Sequence, residues 1–272
     1  MDVRSTLRWS GTLPAPGSHP GAKDKARGRK QTAASAGELA ELQERLFACG
    51  KLGDRRRVLL LLQARDAGGK DGTVKHVVGL VNPAGVHITS FGPPTEQELA
   101  HDFLWRVERA LPTAGQIGVF NRSHYEDVLV ARVHQLVPAE VWQARYGQIS
   151  AWEQALAADG CTLVKVFLHI SPQEQRERLL ARLDDPTKHW KVGTSDLAER
   201  ARWDDYTAAY QDLLDRCSTD VNPWYVVPAD RKWYRDWAVT HLLLEILRSL
   251  DLAWPTPHGV DLAAMRTELA ER

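Results

Sequence analysis

The chain has little sulfur, no charge bias and no long apolar run. Its 272 residues include three cysteines and two methionines, and 35 Lys and Arg balance 35 Asp and Glu. Cys49, Cys161 and Cys217 stand apart, with no CxxC pair. That spacing argues against a disulfide framework, and a reducing cytoplasm is the expected compartment. The apolar stretches at 58–62 and 242–247, the second interrupted by Glu245, are far too short to span a bilayer, so no membrane partner is expected. The opening residues, MDVRSTLRWSG, lack the apolar core of a signal peptide. The ten histidines show no metal-ligand spacing. There is no G-x-S-x-G elbow. The length suits one large domain or two small ones.

What is present begins with a contrast. Residues 1–33 are rich in Gly, Pro, Ser and basic side chains, as in KDKARGRK. They are expected to form a flexible basic arm, a solvated tail more readily than a grip for a polyanion. Residues 34–272 then alternate between two periods. Apolar runs at 58–63, 86–91, 117–120, 162–170 and 224–227 predict strands. Helical patterns fall at 36–49, 73–80, 95–111, within 138–158, and at 171–183, 196–216 and 233–250. Thr95 with Glu98 and Ser171 with Glu174 read as capping boxes, the latter with Pro172 at the first helical position. Strands alternating with helices predict an α/β fold with a parallel sheet covered by helices on both faces.

The densest chemical signal is LLLLQARDAGGKDG at 59–72. A buried strand runs into small residues, then Lys70, then a helix. Such a loop turns backbone N–H groups onto phosphate oxygens, and the lysine adds a full charge. Gly68, Gly69, Lys70, Asp71, Gly72, Thr73 and Lys75 are the candidate phosphate-binding residues. The usual pattern is G-x-x-x-x-G-K-[ST]. Here Ala64 replaces the first glycine, which requires a negative φ there. Asp71 replaces the hydroxyl residue, and Asp66 lies within the loop. Carboxylates beside phosphates repel unless a cation intervenes, so Mg²⁺ is the expected cofactor, with Mn²⁺ as a substitute.

Ligands in open parallel sheets bind beyond the carboxyl ends of strands. The third strand ends in Asn121-Arg122-Ser123-His124-Tyr125-Glu126-Asp127. Arg122 suits phosphoryl oxygens, and Glu126 or Asp127 fits an acidic role toward the metal. A segment at about 182–200 reads as a lid, with Arg182, Lys188 and Lys191 supplying charge over the phosphates. The run 228–232 is a further candidate contact for phosphate or base. An ATP-dependent nucleoside monophosphate kinase would share this loop. So would a non-catalytic nucleotide-binding module, although the surplus carboxylates argue against it.

Taken together, QARDAGGKDGTVKHV, VNPAGV, PTEQELAHDFLWR, IGVFNRSHYEDVLVARVH, LHISPQEQRERLLARLDDPTKHWK and PWYVVPADRKWYR resemble the polyphosphate kinase type 2 family. The subgroup most resembled acts on both AMP and ADP. The resemblance covers about residues 57–237. It implies a P-loop kinase-like fold with a helical lid, and transfer of a terminal phosphoryl group from inorganic polyphosphate to adenine nucleotides with Mg²⁺. It implies catalytic roles for Asp66, Lys70, Arg122 and Asp127, with Asp66 and Asp127 as the acidic pair near the metal. Asn121 and Arg122 match phosphate-binding positions, and Asn121 and Glu126 are the candidate nucleotide contacts. Members often form dimers or tetramers, so a homo-oligomer is expected. No nucleic-acid partner is expected, a role resting on the basic arm being the weaker alternative. The arm before residue 34 matches nothing in the family.

Overall fold

The computed structural model describes residues 2–272. Five strands form one sheet: β1 (Arg57–Ala64), β2 (Val86–Ser90), β3 (Ile117–Asn121), β4 (Cys161–His169) and β5 (Trp224–Pro228). Their order is β2-β3-β1-β4-β5, and every pairing is parallel. The helices are α1 (Val3–Leu7), α2 (Lys25–Lys51), α3 (Lys70–His76), α4 (Glu96–Leu99), α5 (Trp105–Glu108), α6 (Glu126–Val133), α7 (Ala139–Ala158), α8 (Pro172–Leu183), α9 (Asp196–Ala201), α10 (Trp203–Cys217), α11 (Lys232–Ser249) and α12 (Leu262–Glu271).

The central strand shows why this sequence makes this sheet. All eight residues of β1 are buried, as a strand covered on both faces requires. Val58, Leu60 and Leu62 enter a core shared with α2 and α11, while Leu59 and Leu61 enter a second core built with α6, α7 and α10. The alternation follows from the two-residue period of a strand. Each fully buried leucine contributes on the order of 2 kcal/mol. Because the chain winds toward β2 first and toward β5 later, the topology reverses around β1. Its carboxyl end, where the glycine loop lies, is therefore the crevice in which such sheets bind ligands.

Four local expectations differ from the structure. Residues 2–24 are not a solvated tail. Val3 and Leu7 are buried, the Glu245 carboxylate accepts from the Val3 and Arg4 amides at 3.0 Å each, and Arg8 bridges to Tyr225. These few apolar anchors lie among Gly, Pro and Ser, too sparse to form a pattern. Helix α2 also begins at Lys25 rather than 36, because Asp24 caps it by accepting from the Arg27 amide.

The helix expected over 95–111 is broken. Its capping box is present, with Glu98 accepting from the Thr95 amide at 2.7 Å and Thr95 from the Glu98 amide at 3.3 Å. Asp102 then takes the Leu104 amide at 3.0 Å, a local bond that competes with the helix ladder. The helix expected over 196–216 divides at Arg202, whose guanidinium donates to the Val133 carbonyl at 3.0 Å. No helix among the described residues is long and apolar enough to cross a membrane.

Candidate active site

The loop after β1 owes its shape to a few residues. Ala64 is still extended strand, so the missing glycine costs nothing there. Left-handed backbone falls instead at Ala67 (φ 59°) and Gly69 (φ 105°). A Cβ at Gly68 would come within 2.4 Å of the Ala64 Cβ, so only glycine fits. Lys70 opens α3 and donates to the Ala64 carbonyl at 3.0 Å, curling back over the loop. Burial, with Arg122 nearby, holds its ammonium below the usual lysine range. Thr73 is fully buried and its hydroxyl donates to the Gly69 carbonyl at 3.3 Å.

β3 delivers the second half. Arg122 adopts φ 65°, a left-handed conformation unfavourable for a residue with a Cβ, and its amide is held by the Leu62 carbonyl at 3.1 Å. The guanidinium reaches Asp66 at 3.3 Å and Glu126 at 3.8 Å. Burial opposes its charge, but Glu126 and Asp66 outweigh burial and raise its pKa. Burial raises Glu126 in turn, against the pull of Arg122 and Lys70.

Asp71 ties the loop to two other elements. One oxygen accepts from the Asn121 amide group at 2.9 Å, and the other pairs with Lys191 at 2.5 Å. The Lys191 bond is the main cause of its lowered pKa. Lys191 ends the 3₁₀ turn Pro186–Lys191, so this pair draws the lid segment onto the P-loop.

These groups line a cavity of about 1110 Å³. It brings together Asp66, Gly68, Gly69, Lys70, Asp71, Gly72, Asn121, Arg122, Arg182, Lys188 and Lys191. An adjoining cavity of about 300 Å³ shares Asp66 and Arg122 and adds Glu126, Trp203, Tyr206 and Tyr210. The first is a polar, basic space. The second has aromatic walls beside the carboxylates of Asp66, Glu126 and Glu199.

Three candidates fall outside this constellation. Asp127 lines neither cavity, and its carboxylate accepts from Arg145 at 3.1 Å. Burial raises its pKa, with Arg145 and Arg106 opposing. Asp66 and Asp127, the expected acidic pair, therefore do not line a common cavity. Lys75 projects from the far turn of α3, exposed and away from the cavity. Thr73 spends its hydroxyl inside the helix. No cluster of three or more His, Cys, Asp or Glu able to hold a metal occurs among the described residues. Magnesium commonly uses one or two carboxylates and completes its shell with water and substrate phosphate. Asp66, on the wall of both cavities, fits that mode.

Two arginines were not singled out from sequence. Arg178 of α8 donates to the Ala67 carbonyl at 2.9 Å and the Ala229 carbonyl at 2.5 Å, pinning the glycine loop to the end of β5. Arg235 of α11 is 3% exposed and lies under the loop: Cβ atoms at Gly69 or Gly72 would meet its guanidinium at 2.3 or 2.8 Å. Both line the larger cavity. Arg235 sits one helical turn past Arg231 and Lys232, a basic run after an apolar strand that could have extended to it. Arg178 lies mid-helix among many charges and carries no sequence signal.

A parallel sheet, a glycine loop at its switch point, a helix led by lysine and a basic lid define a P-loop kinase-like fold. A family model of polyphosphate kinase 2 matches residues 22–253, and the chain belongs to that family. The AMP/ADP-polyphosphate phosphotransferase of Meiothermus ruber is 53% identical over 219 residues, 80% of each chain. The ADP-polyphosphate phosphotransferase of Rhodopseudomonas palustris is 45% identical over 246 residues, 85% of this chain and 84% of that one. The crystal structure of polyphosphate kinase 2 from Arthrobacter aurescens TC1 superposes with a TM-score of 0.96 at 49% identity, covering 100% of this chain and 98% of that chain.

Proposed function

We propose that this protein transfers a terminal phosphoryl group from inorganic polyphosphate to AMP and ADP. The observation that carries the reading is the size and charge of the larger cavity. It holds about 1110 Å³ and is walled by Lys70, Arg122, Arg178, Lys191, Lys232 and Arg235. That is more cationic surface than the terminal phosphate of a single nucleotide needs, and it suits a donor with a charge on every phosphate. The aromatic wall and the Glu126 carboxylate of the smaller cavity suit the acceptor nucleoside, and the shared Asp66 and Arg122 mark the point of transfer.

Phosphoryl transfer asks for positioning and charge neutralisation more than covalent chemistry. In this reading Lys70 and the loop amides hold the donor phosphate. Arg122 faces the charge that develops on the transferring group, its position fixed by Asp66 and Glu126. Lys191, released from Asp71 by an incoming phosphate, closes the lid and excludes water. A magnesium ion held by Asp66 and the substrate oxygens would neutralise phosphate charge. The same proposal covers a cytoplasmic location, supported by three buried free thiols. It also covers homo-oligomerisation, supported by Leu262, Met265 and Leu269, which stay exposed along one stripe of α12. Sedimentation tests that last point.

The deciding experiment is a donor–acceptor matrix: polyphosphate or ATP as sole donor, AMP or ADP as acceptor, with and without Mg²⁺. ATP formed from ADP and polyphosphate is the expected result. Turnover with ATP and AMP but none with polyphosphate would make the protein an ordinary nucleoside monophosphate kinase.

A further inference from the structure

The basic run at 23–30 plays no part in the site described above, yet the fold sets it beside that site. Helix α2 packs along α11, and the two run parallel. Gly28 sits on the Trp233 indole, the Trp237 indole donates to Gln31 at 3.0 Å, and His241 faces Ser35 at 3.4 Å. The register climbs along both helices together. The first turn of α2 therefore lies at the same end as the first turn of α11. That turn follows β5 at the carboxyl edge of the sheet, and its Lys232 and Arg235 line the P-loop cavity.

The attachment is tight. A Cβ on Gly28 would come within 2.5 Å of the indole, so the close approach depends on glycine. The His19 ring stands 5.7 Å from Trp233, the Tyr234 hydroxyl donates to the Pro20 carbonyl at 2.8 Å, and Ala22 is buried. On this packed segment Lys23, Lys25, Arg27, Arg29 and Lys30 are all exposed, as are Arg231 and Lys232 across from them. The one acidic residue of the run, Asp24, has a carboxylate oxygen engaged by the Arg27 amide at 2.9 Å. Like charges held within two helical turns repel one another, a cost that an anionic ligand removes.

We propose that this basic turn is an outer track for the distal part of a long polyphosphate chain, and that it gives the enzyme a preference for long donors over short ones. The inference rests on the reading of polyphosphate as donor. A chain longer than the cavity must leave through its mouth, and the exposed cations of α2 stand at the same end of the sheet as Lys232, where Gly28 packs on Trp233. Each phosphate neutralised there releases counterions, so the gain falls steeply with salt.

The test replaces the five cations together (Lys23→Gln, Lys25→Gln, Arg27→Gln, Arg29→Gln, Lys30→Gln), all exposed, with an unchanged melting temperature as the control. KM is measured for chains of about 60 phosphates and about six, at two salt concentrations. The expected result is a rise of about tenfold in KM for the long chains, with a shallower salt slope, against less than about twofold for the short ones. An unchanged KM for long chains, or an equal rise for both lengths, would overturn the track. Direct binding of labelled long polyphosphate to wild type and variant separates this from the donor reading. If wild type does not turn over polyphosphate, the donor reading fails, and weaker binding by the variant still supports the track. An RNA oligomer of matched charge that displaces polyphosphate at equal concentration would reassign the turn to nucleic acid and overturn the proposal.

Discussion

Two networks of charge lie on either side of the Asn121–Glu126 loop, and they are built on opposite principles. Above it, in the cavity, Arg122 reaches Asp66 at 3.3 Å and Lys191 pairs with an Asp71 whose side chain is 63% exposed. Beneath it, Lys165 in the middle of β4 is fully buried. It donates to Glu153 of α7 at 2.6 Å, to the Cys217 carbonyl at 2.6 Å and to the Tyr125 hydroxyl at 3.2 Å. Tyr125 donates to Glu153 at 2.7 Å, and His124 meets the same carboxylate at 3.3 Å. Glu153 stays charged because Lys165 and His124 overcome its burial. The upper pairs are wet, exchangeable and open to phosphate. The lower network is dry and closed, and it anchors the loop whose strained Arg122 must hold its place. A buried ion pair is weak evidence for stability in itself. Its value here lies in tying α7, β4 and the end of α10 to one functional turn.

The largest effect separates the two on activity. Lys70→Ala removes the charge aimed into the cavity and one bond to the Ala64 carbonyl. Turnover should fall at least about a hundredfold, the scale of losing one preorganised electrostatic group. The melting temperature should barely move, since burial already disfavours that ammonium. A variant that melts early, or one that stays active, would place Lys70 with the structural network instead.

The lower network should show the reverse signature. Glu153→Ala leaves Lys165 buried without its partner, at a cost of about 3–5 kcal/mol. Glu153→Leu with Lys165→Met removes both charges and should recover much of that loss. Chemical denaturation measures each. If the double variant regains stability but not turnover, the pair serves to position the loop. If Glu153→Ala unfolds at the wild-type denaturant concentration, the network contributes nothing to stability.

How much of this was legible beforehand depends on the range of the contacts. The P-loop could be read because strand, glycines and lysine are neighbours in sequence, and the Asn121–Asp127 cluster because it follows an apolar run directly. The pairing of Asp127 with Arg145 was not legible, because Arg145 comes from the next helix and no local pattern marks it. Lys165 was read only as part of a strand core, since nothing nearby in sequence announces Glu153. The amino-terminal segment read as a tail because its anchors, Val3, Leu7, Pro20 and Ala22, are too few and too scattered to set a period. Long-range pairing of polar groups is what the sequence hid.

A histidine outside both networks, beside Arg65 and Asp230, offers a pH test. His169 ends β4, is 8% exposed, and is held at about 4 by burial and by Arg65. The unfolded imidazole titrates near 6.5. Between those values the unfolded chain takes up a proton that the folded one refuses. This contribution is complete above pH 6.5 and is lost as the pH falls toward 4, by at most about 3 kcal/mol. His169→Gln should flatten the stability profile across that window, as followed by denaturation at several pH values. A slope identical to wild type would assign the acid sensitivity to other groups.

The smallest effect tests the exposed end of the comparison. Lys188 pairs with Asp185 at 2.6 Å and Lys191 with Asp71, both on the lid side of the cavity. Such exposed pairs contribute little to folding, typically below about 1 kcal/mol. Their value should appear only when phosphate displaces the carboxylates. Replacing both lysines with glutamine should raise KM for polyphosphate several-fold and flatten its salt dependence, because fewer ions are exchanged on binding. The KM for the nucleotide should change less, since the aromatic cavity around Glu126 lies apart from both lysines. Steady-state kinetics at two salt concentrations measures all of this. An unchanged KM and salt slope for polyphosphate would move the donor path off the lid and onto Lys232 and Arg235, across the same cavity.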